Sequence, residues 1–114
     1  MTRRDHQRLE DIQGAIDAID GTGTHLERVD LHEGLVFDAV RVRLIEIGEA
    51  VKALPADLLA AEADLPWAQI AGIRDRLAHR SFDTSHAILA ATVEDDLPQL
   101  EAATRRLLQR VEET

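Results

Sequence analysis

Apolar side chains recur every three to four residues along most of this chain, a spacing that admits packed helices and little else. Leu9, Ile12, Ile16 and Ile19 form one such stripe and predict a first helix over about 5–20, which Gly21-Thr22-Gly23-Thr24 should break. Asp30 is positioned as the N-cap of a second helix, with Glu33 completing a capping-box-like pattern. That helix, over about 31–54, carries Leu35, Phe37, Val40, Leu44, Ile47, Val51 and Leu54, and Pro55 closes it. Residues 56–63 read as a short helical connector. Asp64-Leu65-Pro66-Trp67 starts a third main helix carrying Trp67, Ile70, Ile73 and Leu77 and ending near His79 or Arg80. Asp83, Thr84 or Ser85 should cap a fourth helix through Ile88, Leu89 and Val93. Pro98, with Asp95 or Asp96 before it, should kink or restart the chain ahead of Leu100, Ala103, Leu107 and Val111. No strand alternation, internal repeat or low-complexity tract occurs. The expected fold is all-α, a single domain over 1–114 built as an antiparallel helical bundle.

Composition narrows the chemistry. There is no cysteine, which removes disulfides, thiolate metal sites and a cysteine nucleophile. No apolar run approaches the roughly 20 residues that span a bilayer, so no membrane association is expected. The polar start Met1-Thr2-Arg3-Arg4-Asp5-His6 does not read as a signal peptide, and a cytoplasmic location is expected. With 22 acidic against 13 basic side chains, the net charge of −9 excludes a protein that coats nucleic acid nonspecifically. Any nucleic-acid site must be a local basic patch.

The densest such patch is Arg74-Asp75-Arg76-Leu77-Ala78-His79-Arg80. On a helix, Arg76 and Arg80 would share a face and suit an anion, and Asp75 would lie under His79 and hold its imidazole in one tautomer. Arg74 and His79 would stand about 140° apart on one straight helix. Either the helix ends at His79 or a second chain completes the site, as a two-fold dimer would. On pattern alone the same segment also reads as a solvated helix end with a favourable dipole contact.

Leu44-Ile45-Glu46-Ile47-Gly48-Glu49-Ala50, then Leu65-Pro66-Trp67, then Ile70-Ala71-Gly72-Ile73-Arg74-Asp75-Arg76-Leu77-Ala78-His79, and finally Asp96-Leu97-Pro98-Gln99-Leu100, resemble the HepT-like branch of the HEPN superfamily. The resemblance covers nearly the whole chain. It implies a small, homodimeric helical toxin that cleaves RNA with neither metal nor cofactor and is paired with a nucleotidyltransferase-type antitoxin. It makes Arg74 and His79 the signature catalytic pair, with Asp75 in the polar position after the Arg, where the family often has Asn. Glu49 becomes a supporting partner for Arg74, and Arg76 and Arg80 become RNA-binding residues. Where such chains carry a Tyr that the antitoxin modifies with AMP, this one has Ser81. It contains no Tyr at all, so neutralisation through tyrosine adenylylation is impossible here. An alternative is a non-catalytic helical module that holds a nucleotidyltransferase or a nucleotide.

The remaining polar residues carry less. Gly48 inside a long helix costs about 1 kcal/mol relative to Ala, and close approach of a neighbouring helix is the expected return. His6, His25, His32 and His86 show no ligand spacing, so no metal is expected. Trp67 is expected to anchor the core, and Ser81 and Ser85 lack a base.

Overall fold

The computed structural model describes residues 2–23, 33–78 and 80–112. Its seven α-helical segments among these are α1 (Arg3–Gly23), α2 (Glu33–Lys52), α3 (Ala56–Ala60), α4 (Trp67–Ala71), α5 (Ile73–Leu77), α6 (Phe82–Ala91) and α7 (Leu97–Glu112). They form an all-α, compact helical bundle in which α1 packs on α2 and α7, and the α4–α5 unit lies against α2.

The expected stripes become the core. Leu9, Ile12, Ile16 and Ile19 of α1, Val40, Leu44, Ile47 and Val51 of α2, and Leu100, Ala103 and Leu107 of α7 are all buried. Each of the Leu, Ile and Val side chains among them contributes about 1.5–3 kcal/mol on leaving water. Leu35 and Val111 of the expected set have side chains outside the described part, and Asp30, His25 and His32 lie outside the described residues altogether.

Three expectations about boundaries are corrected. α1 begins at Arg3, because Thr2 and Asp5 cap it reciprocally: Asp5 N–H donates to Thr2 Oγ1 and Thr2 N–H to the Asp5 carboxylate, each at 3.1 Å. It also runs through Gly21 to Gly23, and nothing lies within 4 Å of where a Cβ would stand at Gly21. The fourth helix is capped by Ser81 rather than by Asp83, Thr84 or Ser85. Ser81 is extended (φ −62°, ψ 158°), and its Oγ accepts from Thr84 N–H at 3.2 Å.

At Pro98 the chain neither stops nor is recapped by an aspartate. Residues Thr92–Asp96 form one π-helical turn that joins α6 to α7 with helical dihedrals on both sides, and Leu97 N–H donates to Thr92 C=O. Proline has no N–H, and its ring crowds the carbonyl four residues back, so a wider turn relieves both conflicts. The buried positions register the extra residue. Ser85, Leu89 and Thr92 are buried at spacings of four and three; the next buried position, Leu97, comes five residues on, and Leu100 and Ala103 then follow at three. Buried hydroxyls accompany this. Thr92 Oγ1 donates to Ile88 C=O at 2.8 Å, and Thr104 Oγ1 to Leu100 C=O at 2.8 Å. Gln13 of α1 reaches α7 through Thr104 Oγ1 and, at 3.0 Å, Glu101 C=O.

Deleting exposed Asp95 together with Pro98→Ala should therefore close the turn into regular α-helix with both buried faces in phase. Thermal unfolding should shift by only a few degrees. Deleting exposed Ala102 instead turns Ala103, Thr104 and Leu107 by about 100° out of the core, and that chain should fail to fold. A first variant that unfolds like the second would show that the phase argument is wrong.

Candidate active site

The arginine-rich segment lies on α5 and the connection to α6. The third main helix expected from sequence is not continuous. It splits at Gly72, which adopts φ −89°, ψ 12°, between α4 and α5. Glycine is the residue whose helix costs most entropy, so the break falls where the helix is weakest. Ile73 and Leu77 bury one side of α5. Arg74 lies on one flank of that buried side, half-buried Arg76 on the other, and Asp75 points away with Arg74 into solvent.

α5 ends at Leu77. Ala78 N–H closes the last turn on Arg74 C=O at 3.0 Å, and Ala78 itself is extended (φ −70°, ψ 145°). One expectation based on a helix through residue 80 is thus corrected: Arg76 and Arg80 are not stacked on one helix face. The expected pairing of Asp75 is with His79, which lies outside the described residues. Arg80 is exposed. Among the described residues, none of Arg74, Asp75, Arg76 and Arg80 has an ion-pair partner.

Three contacts hold this segment. The first is a close approach. A Cβ at Gly48 would come within 2.9 Å of Ile70 C=O, 3.1 Å of Ile73 Cγ2 and 3.2 Å of Ala71 C=O, so only glycine lets α2 meet the α4–α5 break this closely. The second is buried Ser85, whose Oγ donates to Leu77 C=O at 3.3 Å and ties the end of α5 to α6. The third is Trp67, whose Nε1–H is shared between Leu59 C=O at 3.1 Å and Glu62 C=O at 2.9 Å. Trp67 also packs on the core, as an anchor should. Glu62 in turn accepts from Arg106 Nε at 3.0 Å, linking this corner to α7. The Arg106 hydrogen bond, with the charge of Arg106 and Arg110, holds the Glu62 carboxyl below its ordinary range against the opposing effect of its own burial.

Glu49, expected beside Arg74, is exposed on α2 and pairs within the chain with Lys52 at 3.3 Å. His86, half-buried on α6, stacks on Phe37 of α2 with ring centroids 6.0 Å apart. Among the described residues no group of three or more His, Asp or Glu side chains could hold a metal ion, and no helix is long and apolar enough to cross a membrane.

Comparison with known proteins gives this all-α bundle its family. Residues 8–107 match the family model described as Ribonuclease HepT-like. The chain is 32% identical over 108 residues to the probable ribonuclease HepT of Thermococcus cleftensis, covering 94% of this chain and 98% of that protein. It is 40% identical over 70 residues to a candidate RNase of Caldanaerobacter subterraneus subsp. tengcongensis, which is 60% of this chain and 62% of that protein. It is 27% identical over 114 residues to a candidate RNase of Methanocaldococcus jannaschii, covering 98% and 94% of the two chains. No solved structure matches it. The chain belongs to the HepT-like ribonuclease family, and that membership supports an endoribonuclease activity.

Two contacts that hold the segment yield predictions. Gly48→Ala forces a methyl against backbone carbonyls and should destabilise the fold by about 1–3 kcal/mol. Gly14→Ala, which meets nothing within 4 Å, should stabilise α1 by about 0.5–1 kcal/mol. Denaturant midpoints of the two variants check both signs. For Glu62 the lowered pKa means stability that is present above the ordinary carboxylate range and lost as pH falls through the folded-state value. Glu62→Gln should melt below the parent at neutral pH, and the gap should close in acid; a gap independent of pH would remove the ion pair from the account.

Proposed function

We propose that the chain is a metal-independent endoribonuclease, the toxin half of a toxin–antitoxin pair, acting as a homodimer with Arg74 and His79 as its catalytic residues. The observation that carries this reading is the arginine wall. Arg74 and Arg80 stand exposed and Arg76 half-exposed where α5 ends, without ion-pair partners among the described residues, in a molecule of net charge −9. Unneutralised guanidinium groups on an acidic protein suit a polyanionic ligand. Family membership makes that ligand RNA.

The chemistry follows from the side chains. The ribose 2′-oxygen attacks the adjacent phosphorus, the bond from phosphorus to the 5′-oxygen breaks, and a 2′,3′-cyclic phosphate and a 5′-hydroxyl result. One imidazole takes the 2′-hydroxyl proton, and an imidazolium gives a proton to the leaving oxygen. One His79 holds one protonation state at a time, so two copies across a two-fold axis supply base and acid together. Arg74 grips the phosphate bidentately and stabilises its developing charge. Arg76 and Arg80 bind flanking phosphates, and Asp75 orients the imidazole. Glu49 is assigned a supporting role at the dimeric site, opposite Arg74 of the second copy. The partner is a nucleotidyltransferase-type antitoxin that neutralises by binding, because the chain has no Tyr to modify.

Induction of the parent chain should arrest growth and cut RNA. His79→Ala and Arg74→Ala, shown by circular dichroism to be folded, should cut at least about a hundredfold more slowly and leave growth intact. If His79→Ala arrests growth and cuts RNA like the parent, the chain is a binding module and the catalytic assignment fails.

A further inference from the structure

We infer that Arg41, on α2, is a fourth arginine of the RNA site and holds a substrate phosphate beside the α5–α6 connection; this rests on the ribonuclease reading above. The position follows from the contacts of its neighbours along the helix. On a helical wheel Arg41 lies about 20° from Gly48 and about 40° from Phe37. Both of these face the α4–α6 side of the bundle: Gly48 touches the α4–α5 break, and Phe37 stacks on His86. Leu44, between Arg41 and Gly48, shares a small cavity with Ile70 and Ile73. Along the helix axis, Arg41 is about 6 Å from the level of Phe37 and about 10 Å from that of Gly48.

The chain on the facing wall runs opposite to α2, from the level of Gly48 towards that of Phe37. Ile73 meets α2 at Gly48, Leu77 is tied to Ser85, and His86, next in sequence, reaches Phe37. Arg41 therefore stands level with the end of α5 and the start of the connection that bears Arg80. It is half-buried, and it has no ion pair or side-chain hydrogen bond among the described residues. Arg43, two residues on and turned the other way, is exposed and pairs with Glu46 at 3.2 Å. The acids within three residues of Arg41, Arg74, Arg76 and Arg80 in the sequence are Asp38, Asp75 and Asp83. An arginine half-buried on a 20-residue helix is better placed to fix a phosphate than those on a five-residue helix and a connection, because less of its freedom remains to be lost on binding.

The test is binding of a fluorescent single-stranded RNA oligonucleotide carrying 2′-O-methyl groups throughout, which cannot be cut, measured against salt concentration for the full chain. Loss of one phosphate contact should lower the slope of log affinity against log salt by about 0.7 and weaken binding about fivefold or more in Arg41→Gln. Arg41→Lys keeps the charge and should keep the slope. Arg43→Gln should match the parent, and melting temperatures confirm that each variant is folded. Arg41 is excluded from the site if Arg41→Gln keeps the parental slope and affinity, or if Arg43→Gln loses as much. If Arg76→Gln or Arg80→Gln lowers the slope while Arg41→Gln does not, only the Arg41 assignment falls. A folded parent that fails to bind the oligonucleotide overturns the ribonuclease reading as well.

Discussion

The contact on which the arginine-bearing segment of this molecule depends is the one between Gly48 and the carbonyls of Ile70 and Ala71. With no side chain at Gly48, α2 comes close enough for backbone at the α4–α5 break to occupy the space a Cβ would take. Interhelical distance elsewhere is set by side-chain volume, typically 8–10 Å between axes. Here it is set by the main chain. The consequence reaches Arg74 directly, because Ile73, whose methyl group is among the atoms that crowd Gly48, precedes it on a helix only five residues long. So short a helix has too few hydrogen bonds to hold its own shape, and the direction of its arginines is inherited from α2.

The other ties act at the two ends of the same unit. Trp67 locks the start of α4 through carbonyls of the preceding turn, and Ser85 locks the end of α5 through Leu77 C=O. Ser85 satisfies a backbone acceptor at the end of α5, whereas Trp67 adds a second donor to carbonyls that already accept the backbone N–H groups of Glu62 and Leu65. The polar hydrogen bonds near the site therefore fix backbone rather than bind charged side chains. That division leaves Arg74, Arg76 and Arg80 available to a ligand while the scaffold beneath them is held at both ends.

Most of the fold was legible in the sequence because most of it depends on one-dimensional spacing. The apolar positions of α1, α2 and α7 recur at helical intervals, and those positions became the core. Gly48 was legible too, since a glycine inside an otherwise strong helix costs stability and implies close packing. What was not legible depends on phase and on competition. Regular periodicity carried the third helix through Gly72 to residue 80, whereas glycine splits it and it ends at Leu77; the expected stacking of Arg76 with Arg80 fell with it. Pro98 marked a disturbance but not its form. The five-residue gap between Thr92 and Leu97 was concealed because Val93, an apolar residue, occupies the position a regular helix would bury, while buried Thr92 is polar. Ser81 competes as a cap with Asp83, Thr84 and Ser85, since all four side chains can accept a helix N–H. Glu49 beside Arg74 could be inferred only from resemblance, and within one chain it pairs with Lys52 instead.

A net charge of −9 and an RNA substrate are compatible because the two act over different distances. At physiological salt the field of an exposed charge decays over about 8 Å, so carboxylates elsewhere on a helical bundle contribute little at the arginine wall. Contact there is decided by local charge. Beyond that range, a polyanion meets a molecule with 22 acidic against 13 basic side chains. The same imbalance bears on the choice of arginine: the chain has a single lysine, Lys52, and its other basic side chains are all arginines. A guanidinium presents a planar fork that matches phosphate with two parallel hydrogen bonds, which an ammonium cannot do. In a molecule of net charge −9, a few strong, directional contacts retain a polyanion better than many diffuse ones. A broken helix pinned by glycine, serine and tryptophan is a structure able to hold such contacts in place.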